Sequence, residues 1–324
     1  MKKLFALSFI LGALALSSRA ADYQPVADWF KLPNGQESMG NQHGDVAVSS
    51  KGEVYVSILG GPKAGLQVYS DAGNYLRNVK GAPKDFHGFV IHKNKDGEFI
   101  YGASVGSGTI YKLTLGGDVV LKIPGSAIPD EFKKKGRDGK GTLRLTAMDI
   151  APNGDLFVVD GYSNDYVHHF DASGKYLKSF GGRGKAPYNF STLHKIAIDT
   201  RFSPPRIIGT DRANMRVVHM TLDGKFLGVV AKDLLLPAAV VIRGDYAVIG
   251  EIKGRVTFLD KEGKVAKQLG YNDVAGETGT NKTPPAKWRT GFVTAPHGVA
   301  FNAAGDLFVS EYSTFGRVHR WNQK

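Results

Sequence analysis

Three histidines occupy the same point of a repeated sequence unit: His87 in FHGFVIHKNKDGEFIYG, His194 in LHKIAIDTRFSPPRIIGTD and His297 in PHGVAFNAAGDLFVSE. Neutral imidazoles are good ligands for a divalent metal, and three of them leave one tetrahedral position open, the arrangement of a catalytic zinc site. Imidazole sites also accept copper, iron or nickel. The alternative is local: a His-Gly pair ahead of a strand is turn chemistry, with each ring hydrogen-bonded to backbone. Two further residues belong with the histidines if the repeats stack. Tyr162 in DGYSN and Arg212 in DRAN each follow an Asp at the end of an apolar run. A phenol beside a metal and a guanidinium ionises more readily than one in water and can serve as a general base, and the guanidinium can hold a carboxylate. Asp160, Asn164, Asp211 and Asn214 of the same segments read as turn residues that cap backbone groups.

The elements that must position these groups are short strands. The unit is an apolar strand, a polar turn usually carrying Gly, a second apolar strand ending in Asp or Glu, and a third opening on a basic or β-branched residue. It recurs six times, beginning near Asp45, Gly88, Asp149, Lys195, Ala239 and Gly298. Several copies add a fourth stretch with Gly and an aromatic residue, such as GKYLKSFG and GKFLGVV. Four strands per unit, with a period of about 40–50 residues and no helical periodicity, predict an all-β, six-bladed β-propeller. The blades fall near 40–82, 83–125, 142–182, 191–230, 231–269, and 291–324 completed by 25–34. The last copy stops after its third strand and VADWFKLPNG supplies the fourth, which removes the open sheet edges that invite aggregation. Because first strands line the channel of a propeller, equivalent positions form a ring. Aligned on the strand cores, that ring reads Gly44, His87, Met148, His194, Ala238, His297, and His43 falls one step outside it. The second strand is antiparallel to the first, so its end, with Tyr162 and Arg212, returns to the histidine face.

The first twenty residues, MKKLFALSFILGALALSSRA, have a basic start, an apolar stretch and small residues at Ser18 and Ala20, the pattern of a secretory signal peptide cut after Ala20. Residues 21–324 then form one propeller domain. The chain has no Cys, so neither a disulfide nor a lipid-attachment thiol is available, and no later stretch is apolar enough to cross a bilayer. These features predict an exported monomer, periplasmic or extracellular. Removing Lys2, Lys3 and Arg19 takes the basic residues from 42 to 39 against 30 acids, a formal charge of +9 that favours anionic partners. The basic residues are scattered except in EFKKKGRDGKGTLR at 131–144, and no aromatic-basic stripe of a nucleic-acid binder is present. That run reads as a solvated insertion between blades two and three, or else as a loop that meets a polyanion or substrate.

The units look like NHL repeats. The order His87, DGYSN, LHKIAI, TDRANMRV and APHGVAF, over roughly residues 40–324, resembles the lyase domain of peptidylglycine α-amidating enzymes. The resemblance implies zinc on His87, His194 and His297, Tyr162 as base, Arg212 for the substrate carboxylate, and cleavage of a peptidyl-α-hydroxyglycine to a peptide amide and glyoxylate. This chain departs from the family pattern in four places. Blade one has no Arg near the end of its second strand, leaving Lys63 as the nearby cation; the calcium-binding Asp is Gly298; the Met before the third His is Ala295; and the disulfides are missing. No monooxygenase module accompanies the repeats to make the hydroxyglycine. A calcium-dependent lactonase would need inward oxygen ligands that the ring lacks. Two expectations stand: a zinc-dependent, lyase-like enzyme for a small anionic or peptide-like substrate, or a non-catalytic propeller binding a protein, peptide or glycan on its top face.

Overall fold

The computed structural model describes residues 20–32, 35–135 and 141–324. The predicted signal peptide lies almost wholly outside the described residues. Among these, no helix is long and apolar enough to cross a membrane.

Six four-stranded antiparallel sheets form a ring. Their innermost strands are Asn41–Val48, Phe86–Asn94, Ala147–Ile150, Leu193–Asp199, Pro237–Arg243 and Pro296–Phe301. Each touches the next and the sixth touches the first, so the ring is closed. The chain is therefore a six-bladed β-propeller. Within a sheet the second strand carries the apolar run, such as Leu156–Val159 or the LFV that opens Leu307–Glu311, buried on both faces. Fourth strands alternate and show water Leu76, Leu177 and Val265. The core is a set of clusters wedged between neighbouring blades, among them Phe86, Phe89, Tyr55 and Val68 between blades one and two.

The closing strand is shorter and earlier than the sequence suggested. Tyr23–Val26 pairs with Val318–Gln323, Tyr23 opposite Gln323 and Val26 opposite Arg320. Asp28 adopts φ +46° and ends the strand. Trp29 then turns out of the sheet, donates from Nε1 to the Asp71 carbonyl at 2.8 Å, and packs edge-on against Phe308. An indole buried with its N–H satisfied stabilises this course of the chain.

The insertion between blades two and three forms two single turns of 3-10 helix and a small hairpin, Lys134–Lys135 with Gly141–Thr142. Residues 136–140 of the basic run lie outside the described residues.

Candidate metal centre

Five of the six inner strands enter their sheets through a β-bulge, and the extra residue is the one that faces the channel. The ladder pairs Phe86 with Ser104 and resumes at Gly88 with Ala103, so His87 is left over. In the same way His194 sits between Leu193 and Lys195, Ala238 between Pro237 and Ala239, and His297 between Pro296 and Gly298. A bulge re-aims one side chain away from the pleat, which here means toward the axis.

Blade one obeys the same rule with a longer bulge. Gln42 pairs with Ile58 and the ladder resumes only at Val46 opposite Val56, leaving His43, Gly44 and Asp45 between. His43 therefore occupies the ring, directly after the last ladder residue, as the other ring residues do. The sequence alignment placed Gly44 there because it counted back from the strand core and the bulge holds additional chain. The His-Gly pair itself was the usable signal. Gly44, Gly88 and Gly298 each lie where the neighbouring blade approaches too closely for a side chain: a Cβ on Gly298 would stand 2.8 Å from Asp45 Cα, and one on Gly44 2.9 Å from the Phe86 carbonyl. Blade three has no bulge, and its ladder begins with Ala147 opposite Val159, so the ring position is Thr146. Met148 instead packs in the core between blades two and three.

The ring is thus His43, His87, Thr146, His194, Ala238 and His297. Ring centroids of His87 and His297 are 4.7 Å apart; His43 lies 4.9 Å from each, and His194 lies 4.9 Å from His87 and 4.6 Å from His297. The candidate ligand nitrogens of His43, His87 and His297 all fall within 4.8 Å of one another. The alternating trio His87, His194 and His297 is brought together around one axis, with His43 as a fourth member.

Hydrogen bonds fix two of the tautomers. Nδ1 of His87 bonds the Thr146 carbonyl at 2.7 Å, and Nδ1 of His194 bonds the Ala238 carbonyl at 2.6 Å. A carbonyl only accepts, so both Nδ1 atoms carry the proton and both Nε2 atoms present a lone pair to the channel. Those two Nε2 atoms and that of His43 converge on the Tyr162 hydroxyl, at 3.1, 3.0 and 3.2 Å. A hydroxyl has one proton, so it can satisfy only one of the two lone pairs that His87 and His194 present. His297, fully buried, has no hydrogen-bond partner for either ring nitrogen.

Burial dominates the electrostatics. It takes the His43 imidazole down to about 4, with Arg212 and Arg144 adding repulsion, and holds His87, His194 and His297 well below the ordinary histidine value. All four are neutral at pH 7, the form that binds metal. Burial also raises the Tyr162 phenol above its ordinary value, with Arg212 pulling against it. That is the reverse of the ionised phenol expected from the sequence: among the protein's own groups, desolvation exceeds the guanidinium's attraction, and Tyr162 keeps its proton.

Arg212 donates from Nη1 to the Tyr162 hydroxyl at 3.3 Å, so Tyr162 and Arg212 stand at the histidine end of the channel. The neighbouring turn residues hold backbone. Asp160 accepts from the Tyr166 and Asn164 N–H groups, Asp211 accepts from Ser191 N–H, and Asn164 and Asn214 donate to the Phe132 and Gly184 carbonyls. A mouth of about 580 Å³ opens above, lined by His43, Arg144, Tyr162, Arg183, Arg212 and Tyr312 among others. Arg144, at the end of the basic insertion, has its guanidinium 5.8 Å from the Tyr162 ring. Lys63 is elsewhere, its ammonium 4.5 Å over the Tyr75 ring on blade one's outer edge.

No known family model matches the chain. Among solved structures it is similar to a streptogramin B lyase, at 14% identity over 94% of this chain and 98% of that one, with a TM-score of 0.59. It is similar as well to virginiamycin B lyase from Staphylococcus aureus (13% identity, 94% and 99% covered, TM-score 0.59) and to a putative gluconolactonase (13%, 94% and 93%, 0.60). What they share is the propeller. The neighbours are lyase and gluconolactonase-like propellers, and none of these three is an amidating lyase, so the narrower resemblance drawn from the motifs is not reproduced by overall shape.

Proposed function

We propose that the protein is an exported, metal-dependent lyase of the propeller type. It acts on a small anionic or peptide-like substrate, with a peptidyl-α-hydroxyglycine as the leading candidate. The observation that carries this reading is the surplus of lone pairs at the channel centre: the Nε2 atoms of His87 and His194 facing one hydroxyl proton, and a buried imidazole with both nitrogens unpartnered. Buried polar groups left unbonded are costly, and a cation is the partner that such a donor set fits. His43, His87 and His297 would hold it, with His194 beside them, and zinc is the first candidate. When bound, such an ion supplies Lewis-acid polarisation of a hydroxyl or carbonyl and makes a neighbouring phenol more acidic. The lyase names of two structural neighbours agree with this reading without specifying the substrate.

The chain's own residues divide the remaining work. In cleavage of an α-hydroxyglycine the C–N bond breaks, the carbinol hydroxyl loses its proton to become the aldehyde of glyoxylate, and the departing amide nitrogen gains one. Tyr162 is the group placed to handle these protons, with its oxygen in hydrogen-bond reach of three imidazoles and Arg212. Arg212 is placed to receive the substrate carboxylate. Leu236, Ile252 and Tyr312 form the apolar side of the mouth.

The test is metal analysis of the mature protein beside glyoxylate release from α-hydroxyhippurate, with and without chelator. The expected result is one divalent ion per chain, chelator-sensitive release, and loss of both in His297→Ala. A metal-free protein without turnover would leave a non-catalytic propeller that binds a protein, peptide or glycan by this face.

A further inference from the structure

The mouth above the histidines has a cationic half and an apolar half. Arg144, Arg183 and Arg212 come from three separate segments around blades three and four, whereas Leu236, Ile252 and Tyr312 come from blades five and six. Among the described residues, no carboxylate lines the mouth. The acids that flank it are already engaged: Asp165 with Arg183 at 2.9 Å, Asp211 with Arg216 at 2.7 Å, Glu251 with Arg255 at 2.8 Å, and Glu311 with His319 at 2.7 Å. Asp165 therefore offsets one of the three guanidiniums. Arg144 and Arg212 have no carboxylate partner among the described residues, and two positive charges are left facing the mouth.

We propose that the natural ligand carries two negative charges at one end, as a dicarboxylate or a phosphomonoester does, and an apolar group at the other. The paired charge lies between Arg144 and Arg212, with the exposed face of Arg183 beside it, and the apolar group lies against Leu236, Ile252 and Tyr312. A single carboxylate would engage one fork and leave the second guanidinium unmatched, so a peptidyl-α-hydroxyglycine matches this mouth when it carries a second acidic group near its carboxylate. Both guanidiniums lie near the Tyr162 ring, Arg212 at 5.4 Å and Arg144 at 5.8 Å, so a group bound by either is held close to the phenol. Arg144 is the specificity residue in this arrangement. It arrives from the insertion, on the opposite side of blade two from the place where blade one lacks an Arg.

This inference rests on the reading of that face as the substrate site, but it is tested by binding alone. Benzoate, benzylmalonate and phenylphosphate, titrated calorimetrically into the mature protein at fixed ionic strength, share an aromatic ring and differ in charge at pH 7.5. Benzylmalonate or phenylphosphate should bind at least tenfold tighter than benzoate, about 1.4 kcal/mol, and which of the two leads distinguishes a dicarboxylate from a phosphomonoester. Arg144→Ala, an exposed position whose folding is checked by its thermal midpoint, should reduce the dianion advantage to twofold or less. Equal affinity for all three probes, no binding of any, or a dianion preference that survives Arg144→Ala would each overturn the proposal. If the preference holds while glyoxylate release fails, the lyase reading falls and the dianion site stands; the opposite pair of results removes the dianion site alone.

Discussion

The channel opens at both ends into cavities of nearly equal size, about 580 Å³ at the histidine end and about 590 Å³ at the other. Their linings are opposites. The far mouth is walled by the ends of the inner strands, with Val48, Ile91, Ile198, Val241, Ile242 and Phe301, and its charged side chains are engaged. Asp149 accepts from the Ile150 and Ile198 N–H groups, Arg201 pairs with Asp199, and Lys195 reaches across the channel to Asp45 at 2.5 Å. The histidine mouth has bare imidazole nitrogens and two guanidiniums without carboxylates. Volume is the same at both ends, so it does not locate chemistry; unmet bonding capacity does.

The largest test of that contrast is at the floor between the two mouths. The Asp45–Lys195 pair is buried on both sides, and removing one partner of such a pair costs about 3–5 kcal/mol because the other charge stays buried. Asp45→Asn should lower urea-unfolding stability by that amount. A loss below 1 kcal/mol would mean that Lys195 finds water through the far mouth, and the picture of a satisfied far end would break.

Next is the pH dependence of the histidine end. Folding lowers these imidazole pKa values, His43 from 6.5 to about 4 and the other three well below the ordinary histidine value. The unfolded chain then binds protons that the folded chain does not. Their contribution is fully present above pH 6.5 and is lost as pH falls toward 4, at up to about 1.4 kcal/mol per pH unit for the first proton taken up by the cluster, whose charge then opposes a second. Urea unfolding of metal-stripped protein should show this loss well above the range of the Glu311 carboxyl, which is held down to about 2. A flat profile from pH 6.5 to 4.5 would show that the ring is hydrated rather than buried.

The smallest effect belongs to the far mouth. Ile242→Val should change stability by about 0.5–1.5 kcal/mol and leave turnover and dianion binding untouched. A tenfold change in either would join the two mouths into a single site.

Much of this was legible beforehand. Six repeats with two-residue periodicity specify inward and outward faces, and from them the propeller, its closure by an N-terminal strand, and the placement of His87, His194, His297, Tyr162 and Arg212 at one end all follow. His43 was misplaced because a bulge adds chain without altering the strand pattern on either side of it. Arg144 was grouped with a solvated insertion because loop residues carry no periodicity from which direction can be read.

The sequence alone determined the fold and which residue types enter the channel, because alternation and turn chemistry are local properties of the chain. Only the closed ring decided how many imidazoles meet, which of their nitrogens are free, and that guanidiniums from three distant segments share one wall. Those are distances between blades, and they exist only once the last sheet has paired with the first strand.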